Sequence, residues 1–292
     1  MIKRGMIMKK ESYAVWAFFL SFFASLPASA ESYPDSACVP EKPCFRLGYV
    51  SWSEDRIFSA KFDKLFSQMR ISMPVNIETK FSRTSCKHLK AIENYQFDVV
   101  DLPLSWVPYA VEKLGYIPVI STDQVYANVL ISKKKAPVLS LEQLEGKKLG
   151  AMDFDDTGLV MLREKLAANY PDLLNKVEVV NVPWVDQLLV GLYSGKFDVV
   201  VESEMNLEYL GEKQRRELTV FPVSYDVPYW ITLANPRADS ELLRRFQEIY
   251  LTEFGDLLEE LLKVPSRTAS EHDYKKLLPL FPATRPDIAC EA

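Results

Sequence analysis

The sequence predicts an α/β fold built as two similar halves with two crossing strands between them. Three observations carry this. Short apolar runs alternate with segments whose apolar residues recur at helical spacing. The alternation restarts after the apolar run Tyr126–Ser132, which is closed by Lys133-Lys134-Lys135 and Pro137. Phe97-Asp98-Val99-Val100 returns as Phe197-Asp198-Val199-Val200, each copy following an amphipathic helix and a turn. Strands alternating with helices argue for parallel sheet.

The elements follow in order. Phe45–Val50 is a strand after a Pro-rich lead-in. Apolar residues at 57, 58, 62, 65, 66 and 69 mark a helix from Ile57 to Met69. Val75-Asn76-Ile77 opens a strand, and Leu89 and Ile92 mark a helix ending near Tyr95. Phe97–Leu102 is a strand stopped by Pro103, Trp106–Leu114 a helix and Tyr116–Ile120 a strand. Beyond Tyr126–Ser132, Leu141–Leu144 is a short helix and Lys148–Met152 a strand. Leu159–Ala168 is a helix opened by Asp155-Asp156-Thr157-Gly158. Val177–Val182 reads as strand, Trp184–Tyr193 as helix, and Phe197–Val201, Leu218–Val223 and Tyr229–Ala234 as strands. Leu242–Val264 is mostly helical with a break at Gly255. The polar tail holds one helix near Tyr274–Leu280.

Residues 1–30 stand apart as a secretory signal. Lys3, Arg4, Lys9 and Lys10 form a positive start, Ala14–Phe23 is apolar, and Ala28-Ser29-Ala30 is a small-x-small cleavage site. No cysteine sits at that site, so no lipid anchor is indicated. The apolar run is short for a bilayer span. The expected location is the periplasm.

The chain has 292 residues, 48% hydrophobic and 26% charged, enough for packed cores and unlike a disordered chain. Its net charge is −5. The signal segment carries four basic residues and one acidic, so the remainder stands at −8. An acidic exported chain is a poor match to nucleic acid. No dinucleotide or P-loop glycine motif, H-E-x-x-H or G-x-S-x-G occurs, and the only histidines are His88 and His272. No cofactor is expected. The four cysteines, Cys38, Cys44, Cys86 and Cys290, suggest two disulfides. Three pairings are open. Cys38 with Cys44 closes a small loop and leaves Cys86 for Cys290.

A family resemblance rests on particular residues. The stretch from Ser140 through Leu141-Glu142-Gln143-Leu144-Glu145-Gly146-Lys147-Lys148 to Gly150 resembles the entry to the second lobe of type II periplasmic solute-binding proteins. Gly195-Lys196-Phe197-Asp198-Val199-Val200 is similar to that lobe's turn and strand. Within the family the chain looks closest to phosphonate/phosphite-type and amino-acid-type receptors. The resemblance implies a monomer whose two lobes close on a small ligand. Its segments would be 45–125 with 235–292 for the first lobe, 135–225 for the second, and 126–134 and 226–234 for the crossings. It implies a membrane partner, either an ABC permease or a membrane sensor protein, and no enzyme activity.

Ligands of open α/β sheets bind beyond the carboxyl ends of strands. The candidate residues there are Tyr49, Ser51, Trp52, Lys80, Phe81 and Asp101 in the first half. Asp153, Asp155, Asp156, Thr157, Gly158, Trp184 and Glu202 are their counterparts in the second, with Tyr126 and Tyr229 on the crossings. Carboxylates among aromatics suit a cationic or zwitterionic ligand, an amine or amino acid. Where phosphonate-type receptors carry small hydroxyl residues, this chain has Asp153-Phe154-Asp155-Asp156-Thr157-Gly158, whose carboxylates would repel a phosphonate and argue against an oxyanion ligand. Each residue also has a plainer reading: Asp155 or Asp156 as a helix cap, Asp101 as a cap, Trp184 as an apolar anchor, the tyrosines as packing. A third possibility is a hydrolase using Asp153, Asp156 and Glu202.

Overall fold

A computed structural model describes residues 43–50, 65–82, 84–123, 128–152, 157–223, 227–256, 259 and 265–288. The signal segment 1–30, Cys38, Cys290, Ser51, Trp52, Tyr126, Asp153, Asp155, Asp156 and the first part of the helix expected from Ile57 lie outside the described residues.

The described strands form two sheets. The first has the order β11-β4-β10-β3-β1-β2, the second β7-β6-β8-β5-β9. In the first, β1 (Cys44–Val50) pairs in parallel with β2 (Asn76–Ser82) and β3 (Val99–Asp101). β10 (Ile231–Ala234) runs antiparallel between β3 and β4 (Ile117–Thr122), and β11 (Ser266–Thr268) closes the edge. In the second, β6 (Lys148–Met152) is parallel to β7 (Glu178–Val182) and β8 (Val199–Ser203). β5 (Asn128–Lys133) is antiparallel to both β8 and β9 (Leu218–Pro222).

Each sheet is buried on both faces, as near-continuous apolar strands require. One cluster gathers Leu89, Ile92, Phe97, Trp106, Val107 and Leu233, and another gathers Phe45, Leu47, Phe66, Met69, Ile120 and Phe246. The second sheet has matching clusters around Leu130, Leu149 and Leu162, and around Ile131, Leu188 and Phe197. Met161, fully buried, comes from the helix Thr157–Asn169 and joins the cluster around Trp106. The helix thereby packs against the turn Leu104–Trp106.

The sequence echo is a structural repeat. Leu47 and Gly48 of β1 pair with Val99 and Val100, and Leu149 and Gly150 of β6 pair with Val199 and Val200. Asp98 accepts the N–H of Arg46 at 2.7 Å, and Asp198 accepts that of Lys148 at 2.9 Å. A Cβ on Gly48 would lie 2.4 Å from the Phe97 ring, and one on Gly150 2.7 Å from the Phe197 ring. Each glycine is thus the space into which its phenylalanine packs.

Several elements differ from the sequence expectation. The helix expected over Leu242–Val264 is regular over Ser240–Glu248 and helical again at 255, 256 and 259. It widens into a π turn at Ile249–Glu253, so the break precedes Gly255. The tail helix is Glu271–Lys275, not Tyr274–Leu280, because Ser270 and Asp273 form a capping box. β11 was hidden in a polar stretch. It is held by Arg267, whose guanidinium binds Asp123 at 2.6 Å and Asp273 at 2.7 and 2.8 Å. The expected crossings 126–134 and 226–234 contain β5 and β10, each an interior strand of one sheet. The connections between sheets run through 123–127 and 223–230. Cys44 and Cys86 are both disulfide-bonded, and no described cysteine is free.

Candidate ligand site

The connections fix how the sheets face. The chain leaves the first sheet at Thr122, the carboxyl end of β4, and enters the second at Asn128, beside Ser203 at the carboxyl end of β8. It returns from Pro222, the carboxyl end of β9, to Ile231, beside Ser121. An extended chain covers at most about 3.6 Å per residue, so the first connection spans no more than about 20 Å. The carboxyl edges of both sheets are therefore tethered near each other: Val50, Ser82, Asp101 and Thr122 on one, Met152, Val182 and Ser203 on the other. That is where ligands of such sheets bind.

Asp101 is the centre of the first edge. Its Oδ1 accepts from Thr232 Oγ1 at 2.6 Å and from Trp230 Nε1 at 3.0 Å. Its backbone carbonyl meets His88 Nε2 at 3.1 Å. A carbonyl only accepts, so Nε2 carries the hydrogen, and Nδ1 accepts from Ser82 Oγ at 2.9 Å. The buried ring is neutral in this arrangement, and burial lowers its pKa to about 4. The ring thus meets the Asp101 backbone and not its carboxyl. Burial pushes the Asp101 carboxyl up to about 7, against the lowering effect of its two donors. Tyr49 and Tyr250 are raised by burial and by the nearby Asp101 charge. Tyr49 is packed between Phe66 and Phe81, with ring centroids at 5.3 and 5.6 Å. Lys80 is exposed, and its ammonium is paired with Glu78 at 3.1 Å.

At the second edge Glu202 is buried, and its Oε1 accepts from Ser203 N–H at 2.7 Å and Asn206 Nδ2 at 2.8 Å. Thr157 and Gly158, both buried, begin the helix Thr157–Asn169 after β6. Asn128 Nδ2 donates to the Gly158 carbonyl at 2.9 Å, and a Cβ on Gly158 would lie 2.7 Å from Asn128 Oδ1. Only glycine lets the two segments approach this closely. Trp184, half-buried, precedes the helix Val185–Ser194.

The returning connection joins the edges. Thr122 Oγ1 accepts from Tyr229 N–H at 3.0 Å and Trp230 N–H at 3.3 Å. Ser203 Oγ lies 3.4 Å from the Tyr229 hydroxyl. Tyr229 thus reaches the second edge while Trp230 holds the first. The structure brings together Asp101 and Tyr229 through this dipeptide, and Glu202 through its neighbour Ser203. Thr157 and Gly158 lie on the second edge, and Lys80 is turned to Glu78. Sequence reading missed Trp230, Thr122, Asn128 and His88. Trp230 adjoins Tyr229 in the same apolar run, and its indole N–H was the available signal. Among the described residues, no group of three or more His, Cys, Asp or Glu is placed to hold a metal ion. No described helix is long and apolar enough to cross a membrane.

Residues 47–274 match the family described as ABC transporter, phosphonate, periplasmic substrate-binding protein. Among solved structures, the chain is similar to a binding protein component of an ABC phosphonate transporter from Pseudomonas aeruginosa. The TM-score is 0.70 at 15% identity, covering 82% of this chain and 84% of that one. PhnD1 from Prochlorococcus marinus, in complex with methylphosphonate, gives a TM-score of 0.69 at 12% identity, covering 81% and 96%. A Xanthomonas citri protein bound to ATP gives 0.62 at 15% identity, covering 81% and 95%. At these identities the likeness establishes the fold, a two-lobed type II periplasmic binding protein. No curated protein matches the sequence.

Proposed function

The chain belongs to the periplasmic substrate-binding proteins of ABC phosphonate transporters, and on that premise we propose that its ligand is a small zwitterion, a phosphonate bearing an amine. It is captured between the two carboxyl edges and delivered to a membrane permease. The observation that carries this reading is the pair of buried carboxyls, Asp101 and Glu202, one at the carboxyl edge of each sheet. A wholly anionic ligand would find no counter-charge in either, and a like charge wherever one is ionised. An ammonium is stabilised by them, and by the π faces of tyrosine or tryptophan nearby. The start of the helix Thr157–Asn169, at the second edge, is a favourable place for an anionic head, with the positive end of the helix dipole and the Thr157 hydroxyl. The family match speaks against the expectation that the acidic run 153–158 excludes an oxyanion, and the expected cationic or zwitterionic ligand and the family's phosphonate are then two ends of one molecule. Export through the signal segment 1–30 fits the disulfide-bonded Cys44 and Cys86. Within that reading, Cys38 pairs with Cys44 and Cys86 with Cys290.

A thermal-shift series tests the ligand class. The purified protein is heated with 2-aminoethylphosphonate, methylphosphonate, glutamate or putrescine. Ligand at a hundred times its dissociation constant stabilises by about 2.7 kcal/mol. The largest rise in midpoint is expected with 2-aminoethylphosphonate. An equal or larger rise with methylphosphonate would remove the ammonium from the reading. No rise with any of the four would overturn the ligand class.

A further inference from the structure

The two copies of the repeat provide an internal control for Asp101. Phe97-Asp98-Val99-Val100-Asp101 aligns with Phe197-Asp198-Val199-Val200-Val201, and Val201 is fully buried. Asp101 is therefore a carboxyl placed at a core position of the scaffold. Tyr49 stands where the second copy has Ala151, at the neighbouring position of the adjacent strand. Among the described residues, the groups facing the carboxyl can be named. Trp230 and Thr232 of the returning segment both donate to Oδ1, and Oδ2 takes no hydrogen bond among the described residues. Tyr49 of β1 and Tyr250 of the π turn are neutral at neutral pH, since both are raised. His88, neutral, is bound to the Asp101 backbone and not to its carboxyl. No described cation stabilises the charged form. A buried carboxylate without a cation is costly, and an arriving ammonium removes that cost.

We infer that Asp101 exchanges its proton for the ligand's ammonium group, so that capture of an amine-bearing ligand and release of a proton to solvent are one event. The inference rests on the amine-bearing ligand proposed above. It makes Asp101 a specificity-determining residue, because a ligand without the amine leaves the carboxyl protonated and unused. Burial that holds the carboxyl near pH 7 places the exchange within the working range of the protein. The sign is fixed. An ammonium favours the carboxylate, so its binding lowers the pKa and expels a proton, and affinity rises with pH up to about 7.

The test is titration calorimetry of the purified protein at pH 7 in two buffers of different ionisation enthalpy. The probes are 2-aminoethylphosphonate and ethylphosphonate, each with wild type and Asp101→Asn. Comparing the two proteins cancels protons that belong to the phosphonate itself. The expected result is about half a proton more released from wild type than from Asp101→Asn with the amine probe, and no such excess with ethylphosphonate. Equal proton counts from both proteins with a bound amine probe would overturn the inference and leave the proposed ligand standing. Failure of both probes to bind wild type would overturn the proposed ligand, and the inference with it. Should Asp101→Asn fail to fold, Trp230→Phe serves instead. It removes a donor that lowers the Asp101 pKa, so proton release with the amine probe should increase, and unchanged release would overturn the inference.

Discussion

The Phe-Asp-Val-Val units of the two halves share a scaffold and differ in what it carries. In both, a phenylalanine packs on a strand glycine and an aspartate accepts a backbone N–H from the neighbouring strand. In both, the preceding turn needs a left-handed residue. That residue is Gly195 in the second half, at φ 82°, and Tyr95 in the first, at φ 53°. Tyr95 tolerates the strain because its ring and its hydroxyl are both held. It stacks on Tyr116 at 5.8 Å, lies under the Arg237 guanidinium at 3.8 Å, and donates its hydroxyl to the Leu114 carbonyl at 3.0 Å. Next to the edge the halves part. The first has Tyr49 and Asp101 where the second has Ala151 and Val201. The second half's own carboxyl, Glu202, comes one residue later and so leaves the strand on its other face. The backbone frame is the repeated part, and ligand chemistry is written onto it at the last residues of the strands.

The largest expected effect breaks the comparison at Asp101. Its carboxyl is held near 7 in the folded protein against 3.8 as an ordinary aspartate. The folded state then binds more protons than the unfolded state between about pH 4 and 7. Stability from this group therefore increases as pH falls through 7 and levels off below about 4. A three-unit shift corresponds to about 4 kcal/mol at most. Asp101→Asn should flatten that part of the dependence of thermal midpoint on pH and stabilise the ligand-free protein at pH 8. A wild-type slope retained by the variant would assign the titration elsewhere.

A smaller effect tests the shared frame. A Cβ on Gly191 would lie 2.1 Å from the Phe197 ring, and that ring is buried. Gly191→Ala should cost about 1–3 kcal/mol by overpacking, despite alanine's better helix propensity. Denaturant unfolding measures it, and a stabilised variant would mean that Phe197 can swing aside. The smallest effect concerns the turns. Gly195→Ala should cost about 1 kcal/mol, because nothing like the Tyr95 stack holds a side chain there. A neutral result by the same measurement would show that the turn at Gly195 relaxes freely.

Much of the frame was legible because it rests on pattern. Period and burial marked most strands, and the repeated tetrapeptide marked the two halves. β11 was not legible. Ser266-Arg267-Thr268 has no apolar alternation and is held by the Arg267 ion pairs, one of which reaches Asp123, 144 residues away. The π turn at Ile249–Glu253 leaves the apolar spacing that predicts a helix unchanged. At the site, Asp101 was legible as a carboxyl at a strand end. Its partners were not, because Trp230 and Thr232 lie well over a hundred residues away and read as ordinary members of an apolar strand. His88 is one of only two histidines, and nothing in the sequence pairs it with Asp101. Its role ties β2 to β3 through Ser82 and the Asp101 carbonyl.

The most direct test of the comparison is the titration of the Asp101 carboxyl itself, by carbon-13 NMR of aspartate-labelled protein with Asp101→Asn to assign the signal. A carboxyl at a core position of the scaffold should titrate near pH 7 in the ligand-free protein and at lower pH once 2-aminoethylphosphonate is bound. A midpoint near 4 in the ligand-free protein would contradict the account, because Asp101 would then be an ordinary solvated aspartate at a strand end.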